Sequence, residues 1–186
     1  MRRTQLLAIL LLASCAHRPG EEIPFVPIPA VTSSARVRLV VKDARLADLF
    51  RSNRPELLTT TELRALLANR LEHELANNGV ALADTASTLV QVELLDFWWE
   101  FRKFDFMDYR TTTTVRLWIS LEPSGGPARS WIVTGRGQQA ERVAEPIPVA
   151  VDLLEIALDR SLRAAHEQGA FSLIASTAVA AANESP

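Results

Sequence analysis

Residues 88–104, TLVQVELLDFWWEFRKF, constrain the fold more than any other stretch of the chain. Val90, Val92 and Leu94 alternate with Gln91 and Glu93, and Phe97, Trp99 and Phe101 then alternate with Asp96, Glu100 and Arg102. Alternation with period two marks a strand that lays one face on a core and turns the other outward. The two halves are out of phase by one residue. Because a one-residue slip exchanges the faces of a strand, the sequence predicts a bulge or bend at Leu94–Asp96 that returns both apolar sets to the same side.

The remaining patterns supply partners for this strand. Residues 111–122, TTTTVRLWISLE, place Val115, Leu117, Ile119 and Leu121 on one face. Pro123-Ser124-Gly125-Gly126-Pro127 is a hairpin turn, and residues 129–136, RSWIVTGR, return with Trp131 and Val133 inward. Residues 36–43, RVRLVVKD, alternate in the same way, and Val80–Ala83 is a candidate for a short strand. Residues 44–58 form a loop carrying Leu46, Leu49 and Phe50.

Two segments have helical spacing instead. Thr59-Thr60-Thr61-Glu62 is a capping box, Leu63, Leu66, Leu67, Leu71 and Leu75 follow at helical intervals, and Gly79 closes a helix over about 60–78. From Pro148 to about Gln168, Val151, Leu154, Leu158 and Leu162 form one stripe, and Gly169 ends it. Both helices are amphipathic, so both belong on one face of the sheet. The expected fold is α+β: a two-layer sandwich in which an antiparallel sheet of about four strands carries two amphipathic helices on one face. The folded domain is expected over residues 35–174. The segment after Gly169 begins FSLI, turns alanine-rich and reads as a frayed helix, with a flexible tail at 175–186.

The opening segment bears on location. Arg2 and Arg3 precede an apolar run, Leu6–Leu12, which is followed by Ala13, Ser14 and Cys15. This is the layout of a secretory signal, here residues 1–14, and the run is far shorter than the ~20 residues that span a bilayer. Cys15 is the sole cysteine among 186 residues, so the chain forms no internal disulfide and no zinc site on paired cysteines. Residues 15–34 read as a tether in which Pro19, Gly20, Pro24, Pro27 and Pro29 break regular structure.

Leu12-Ala13-Ser14-Cys15 resembles the lipobox of bacterial lipoproteins. That resemblance implies cleavage between Ser14 and Cys15, a diacylglyceryl group on the Cys15 thiol, and an acyl chain such as palmitate on the new amino terminus. Several acyl chains give stable anchoring where one is marginal. Ala16, in place of an aspartate, resembles the signal that sends Gram-negative lipoproteins to the outer membrane, with the domain facing the periplasm. The whole layout resembles the YajG-type family of small bacterial lipoproteins. The carrying features are LASC, VRLVVKDAR, LRALLANRLEHELANNGV, LVQVELLDF and TTTTVRLWISLE, followed by a long closing helix. They span most of residues 36–170. Weaker resemblances run to the auxiliary lipoproteins of ABC-type lipid transporters and to LptE-like assembly lipoproteins. What these imply is an anchored envelope protein with a protein or lipid partner.

Composition excludes one class of partner. With a formal net charge of −2, the chain has no strong basic field for nucleic acid. No catalytic set is legible: there is no G-x-S-x-G, and Cys15 is taken by lipid. Glu72-His73-Glu74 reads as a solvated helix face, because adjacent helical residues point in different directions. Asp105, Asp108 and Tyr109 read as a solvated turn. Asp152, Glu155 and Asp159 read as a surface stripe with Arg160 and Arg163 as partners. Asp43 and Arg45 read as a strand-end tie. No cofactor and no metal are expected beyond the lipid on Cys15.

Residues 96–106, DFWWEFRKFDF, ask for more than packing, since six of eleven are aromatic. Phe97, Trp99 and Phe101 belong to the core face. Trp98 points the other way, with Glu100 and Arg102, and Trp118 likewise points away from Leu117 and Ile119, beside Arg116. Trp and Arg are enriched at binding hot spots. Trp98, Arg102, Arg116 and Trp118 are therefore the candidate partner-binding face. The alternative is that the loop 44–58 or the C-terminal tail covers both tryptophans.

Overall fold

The computed structural model describes residues 27–28, 34–45, 60–103, 108–141 and 146–183. Its strands are β1 (Arg36–Asp43), β2 (Ala81–Leu82), β3 (Leu89–Lys103), β4 (Tyr109–Glu122) and β5 (Arg129–Glu141). Its helices are α1 (Thr60–Asn77), α2 (Pro146–Glu167) and α3 (Ala170–Asn183). One five-stranded sheet runs in the order β2-β1-β3-β4-β5. β3, β4 and β5 form an antiparallel meander, while β1 is parallel to both β2 and β3. The fold is the expected α+β sandwich with helices on one face, but the sheet is mixed rather than antiparallel. α1 accounts for part of this: parallel neighbours need a crossover connection, and the helix between β1 and β2 supplies it.

The phase change in β3 is resolved as predicted. Leu94 pairs with Leu117 and Asp96 with Arg116, so Leu95 has no partner across the ladder. Val90, Val92 and Leu94 before the irregularity, and Phe97 after it, are all buried on the helix side. Opposite them Val115, Leu117, Ile119 and Leu121 of β4 are 2% exposed or less.

α1 buries Leu63, Leu66, Leu67, Leu71 and Leu75, the stripe read from the sequence. It starts at Thr60; Thr59 of the capping box lies outside the described residues. It ends in a Schellman motif: the Val80 amide donates to the Leu75 carbonyl and the Gly79 amide to the Ala76 carbonyl, with Gly79 at φ 74°. α2 begins two residues earlier than expected, at Pro146, where a missing N–H is harmless in the first turn. It buries Leu154, Leu158 and Leu162 against β4 and β5. The side chain of Val151, the fourth member of the expected stripe, lies outside the described residues.

Two further differences concern β5 and the segment after Gly169. β5 runs to Glu141, five residues past the expected end, because Gly135 and Gly137 remove the alternation from the sequence. Those glycines let α2 lie directly on the strand: a Cβ at Gly135 would stand 1.8 Å from the Ala157 carbonyl oxygen, and one at Gly137 2.5 Å from that of Leu153. The second difference is a third helix. α3 continues the folded region to Asn183, past the boundary expected at 174, and buries Ala170, Phe171, Ile174 and Ala178. Ala170, Ile174 and Ala178 at four-residue spacing, with Phe171 beside them, form the face it buries.

Candidate functional site

With the three helices of the described residues on one side, the other face of the sheet is built from the alternate residues of each strand. β1 contributes Arg36, Arg38, Val40 and Lys42; β3 contributes Gln91, Glu93, Asp96, Trp98, Glu100 and Arg102. β4 contributes Arg110, Thr112, Thr114, Arg116, Trp118 and Ser120, and β5 contributes Ile132, Thr134 and Arg136. The pairing register sets the rows across this face. Lys42, Glu93, Trp118 and Ile132 form one row; Asp96, Arg116 and Thr134 form the next; Trp98, Thr114 and Arg136 form a third.

Trp98 is 36% exposed and Ile132 52%. Trp118 is half-buried, and so are Val40 and the bulge residue Leu95. Thr112, Thr114 and Ser120, short side chains between these larger ones, are buried. The acids of the face meet neighbouring cations: Arg102 lies 3.0 Å from Glu100, Arg116 3.8 Å from Asp96, and Lys42 4.0 Å from Glu93. The cations of these pairs are exposed and the acids partly so, and each pair stabilises the fold by at most ~1 kcal/mol. Arg36, Arg38, Arg110 and Arg136 add further positive charge, against Glu122. The face is thus richer in cations than in acids, on a chain whose net charge is −2.

Of the residues singled out from the sequence, Trp98, Arg116 and Trp118 come together. Arg116 sits diagonally across from Trp98 and two residues from Trp118. Arg102 lies farther along, opposite Arg110 near the end of the β3–β4 hairpin. Ser14, Cys15 and Asp105 lie outside the described residues. Ile132 belongs with the tryptophans but was not among the expected residues. Its signal was present, since Trp131 and Val133 inward put Ile132 outward.

Other candidates resolve into structural roles. Arg45 folds back on Asp43, its Nε 2.8 Å from one carboxylate oxygen and its terminal nitrogen 2.6 Å from the other, and the guanidinium lies over the Phe97 ring. The pair ties the end of β1 to the core edge. Glu155 and Asp159 of α2 were expected to pair with Arg160 and Arg163. Instead Arg70 of α1 bridges them, 2.9 Å from Glu155 and 3.8 Å from Asp159. Helix–helix packing, which local spacing does not show, brings Arg70 there. Arg160 reaches the Arg136 carbonyl on the outer edge of the sheet and covers one acceptor of a strand that has no neighbour there.

A cleft of about 340 Å³ beside that network is lined by Arg70, His73, Glu74, Asp159, Arg163 and His166, among others. Another of about 450 Å³ lies between α1 and β1, where Leu39, Val41, Ala65, Ala68 and Leu82 are rimmed by Arg64, Glu72 and Asp84. Among the described residues no three His, Cys, Asp or Glu side chains converge as metal ligands.

No family model matches the chain, and no curated protein matches it. Solved structures similar to it include bacterial lipoproteins. A minor lipoprotein from Acinetobacter baumannii shares 12% identity at a TM-score of 0.47, covering 79% of this chain and 95% of that one. The rare lipoprotein B from Shewanella oneidensis shares 18% identity at a TM-score of 0.39, covering 77% and 96%. A lipoprotein from Neisseria meningitidis shares 11% identity at a TM-score of 0.34, covering 65% and 95%. All three TM-scores lie below 0.5, and none of these proteins lends this chain a role.

Proposed function

We propose that this chain is a non-catalytic lipoprotein of the bacterial envelope, of YajG type, that acts as an interaction module in envelope maintenance or assembly. Cys15 carries the lipid, Ala16 directs it to the outer membrane, and the open sheet face makes the contact. The anchor and its location are supported by the order of Arg2-Arg3, the apolar run and Leu12–Cys15. The observation that supports the contact face is Trp98: a large aromatic side chain 36% exposed, beside Arg116, on the side of the sheet opposite the described helices. Burying such a ring in a partner removes a large apolar area from water, and the indole N–H keeps a polar handle for orientation.

In-cell photocrosslinking from position 98 tests this reading. Position 156 serves as control, because Ile156 is 41% exposed but belongs to the helix layer. A discrete adduct from 98 and none from 156 is expected. Equal labelling from both, or none from 98, would show that the face has no dedicated contact.

A further inference from the structure

We infer that the open sheet face docks on an anionic membrane surface. Its cations contact phosphate-bearing headgroups, and Trp98, Trp118 and Ile132 enter the boundary between headgroups and acyl chains. This inference rests on the reading of that face as the contact surface and names what it contacts.

Charge distribution is the first ground. The chain is net acidic, yet the outward residues of β1, β3, β4 and β5 carry more cations than acids. Glu93, Asp96 and Glu100 are each spent on a neighbouring cation, which leaves Arg36, Arg38 and Arg136, against Glu122, to set the sign of the face. All three are exposed. The surplus is complementary to a negative surface, and a Debye length of ~8 Å at physiological salt confines that attraction to close approach.

The spacing of the apolar groups is the second ground. Protein hot spots gather aromatic side chains into one water-excluded centre. Here Trp98 stands opposite Thr114, and Trp118 is four residues farther along β4, with Arg116 between them. That separation is about 13 Å at ~3.3 Å per residue. Trp98 and the Trp118–Ile132 pair are thus two small apolar points with Arg116 between them, which suits a fluid surface that admits each singly. Tryptophan favours that depth, where its ring is buried and its N–H stays near water. Arginine and lysine stems can lie along the same boundary with their charges in the headgroup layer.

Brominated lipids test this in the full chain carrying Cys15→Ser, which removes the acyl chains. The tryptophans are Trp98, Trp99, Trp118 and Trp131, of which Trp99 and Trp131 belong to the helix side. Variants retaining a single tryptophan, with the others changed to phenylalanine and their folding checked by circular dichroism, report each position separately. Vesicles of brominated phosphatidylglycerol should quench Trp98 and Trp118 and spare Trp131, whereas brominated phosphatidylcholine should leave all three bright. Each surface cation contributes about fivefold to binding an anionic membrane, so Arg36→Gln, Arg38→Gln and Arg136→Gln together should weaken it about a hundredfold.

Quenching of Trp131 equal to that of Trp98 would overturn the assignment of the face. No quenching at 98 and 118, together with a protein adduct from position 98 in cells, would overturn the membrane inference and leave the interaction reading standing. Absence of both quenching and adduct would remove the two together.

Discussion

Replacing Gly135 by alanine adds one methyl group, and the structure indicates that the site cannot hold it. The added Cβ would lie 1.8 Å from the Ala157 carbonyl oxygen and 2.5 Å from both the backbone nitrogen and the hydroxyl of Ser161, where ordinary contact begins near 3.4 Å. All but the hydroxyl are backbone atoms of α2, so no change of rotamer relieves the overlap. The helix must retreat by roughly 1.5 Å. That retreat strains the buried hydrogen bonds that Ser161 and Thr113 make between helix and sheet, at 3.3 Å to the Val115 carbonyl and 3.1 Å to the Ala150 carbonyl. It also loosens the packing of Leu154 and Leu158 on β4. Overpacking a core typically destabilises by about 1–3 kcal/mol, and a backbone clash belongs at or above the top of that range.

Alanine also stiffens the unfolded chain, which offsets about 0.4–1 kcal/mol. The net expectation for Gly135→Ala is a loss of about 3 kcal/mol, or about 6–12 °C in Tm for a chain of this length. Gly137→Ala, with its nearest contact at 2.5 Å, should lose less. Gly125→Ala, in the β4–β5 turn with nothing within 4 Å, should match the parent within ~0.5 kcal/mol. Urea titrations of the three variants read these differences directly. A Gly135→Ala protein as stable as Gly125→Ala would refute the claim that α2 rests on a glycine-lined strand.

Two other perturbations probe the elements that position the candidate face. Deleting Leu95 removes the unpaired residue of β3 and makes Leu94–Leu117 and Asp96–Arg116 consecutive pairs of a regular ladder, so Asp96, Trp98 and Glu100 keep the outward face and the deletion should fold, as should Leu95→Ala at this half-buried position. A deletion that fails to fold, or whose Trp98 is shielded from acrylamide relative to the parent, would contradict this account of the bulge. Phe171, 1% exposed on α3, packs in the core with Ile174, so Phe171→Ala should cost about 3–5 kcal/mol in thermal or urea unfolding. An unchanged midpoint would mean that α3 does not share the core.

Much of this fold was legible along the chain because local periodicity reports a face. Val90, Val92, Leu94 and then Phe97 reveal both the long strand and its irregularity, since only a bulge keeps them together. The α1 stripe and the glycine after it are equally local, and so is the prediction that Trp98 and Trp118 point away from the core. Where periodicity failed, the cause was missing side chains: Gly135 and Gly137 hide the end of β5, and the alanine-rich stretch after Ile174 gives little sign that α3 runs on to Asn183.

By itself the sequence determined the strand phases, two of the three helices and the sidedness of Trp98, Arg116 and Trp118, each being a property of residues near one another in the chain. It also carries everything said here of Cys15, whose surroundings lie outside the described residues. Tertiary structure alone decided that β1 runs parallel to its neighbours, that Arg70 rather than Arg160 or Arg163 meets Glu155, and that Ile132 stands beside Trp118. Those facts depend on which strand lies next to which and which helix crosses which, and residues distant in sequence acquire such neighbours only when the core closes.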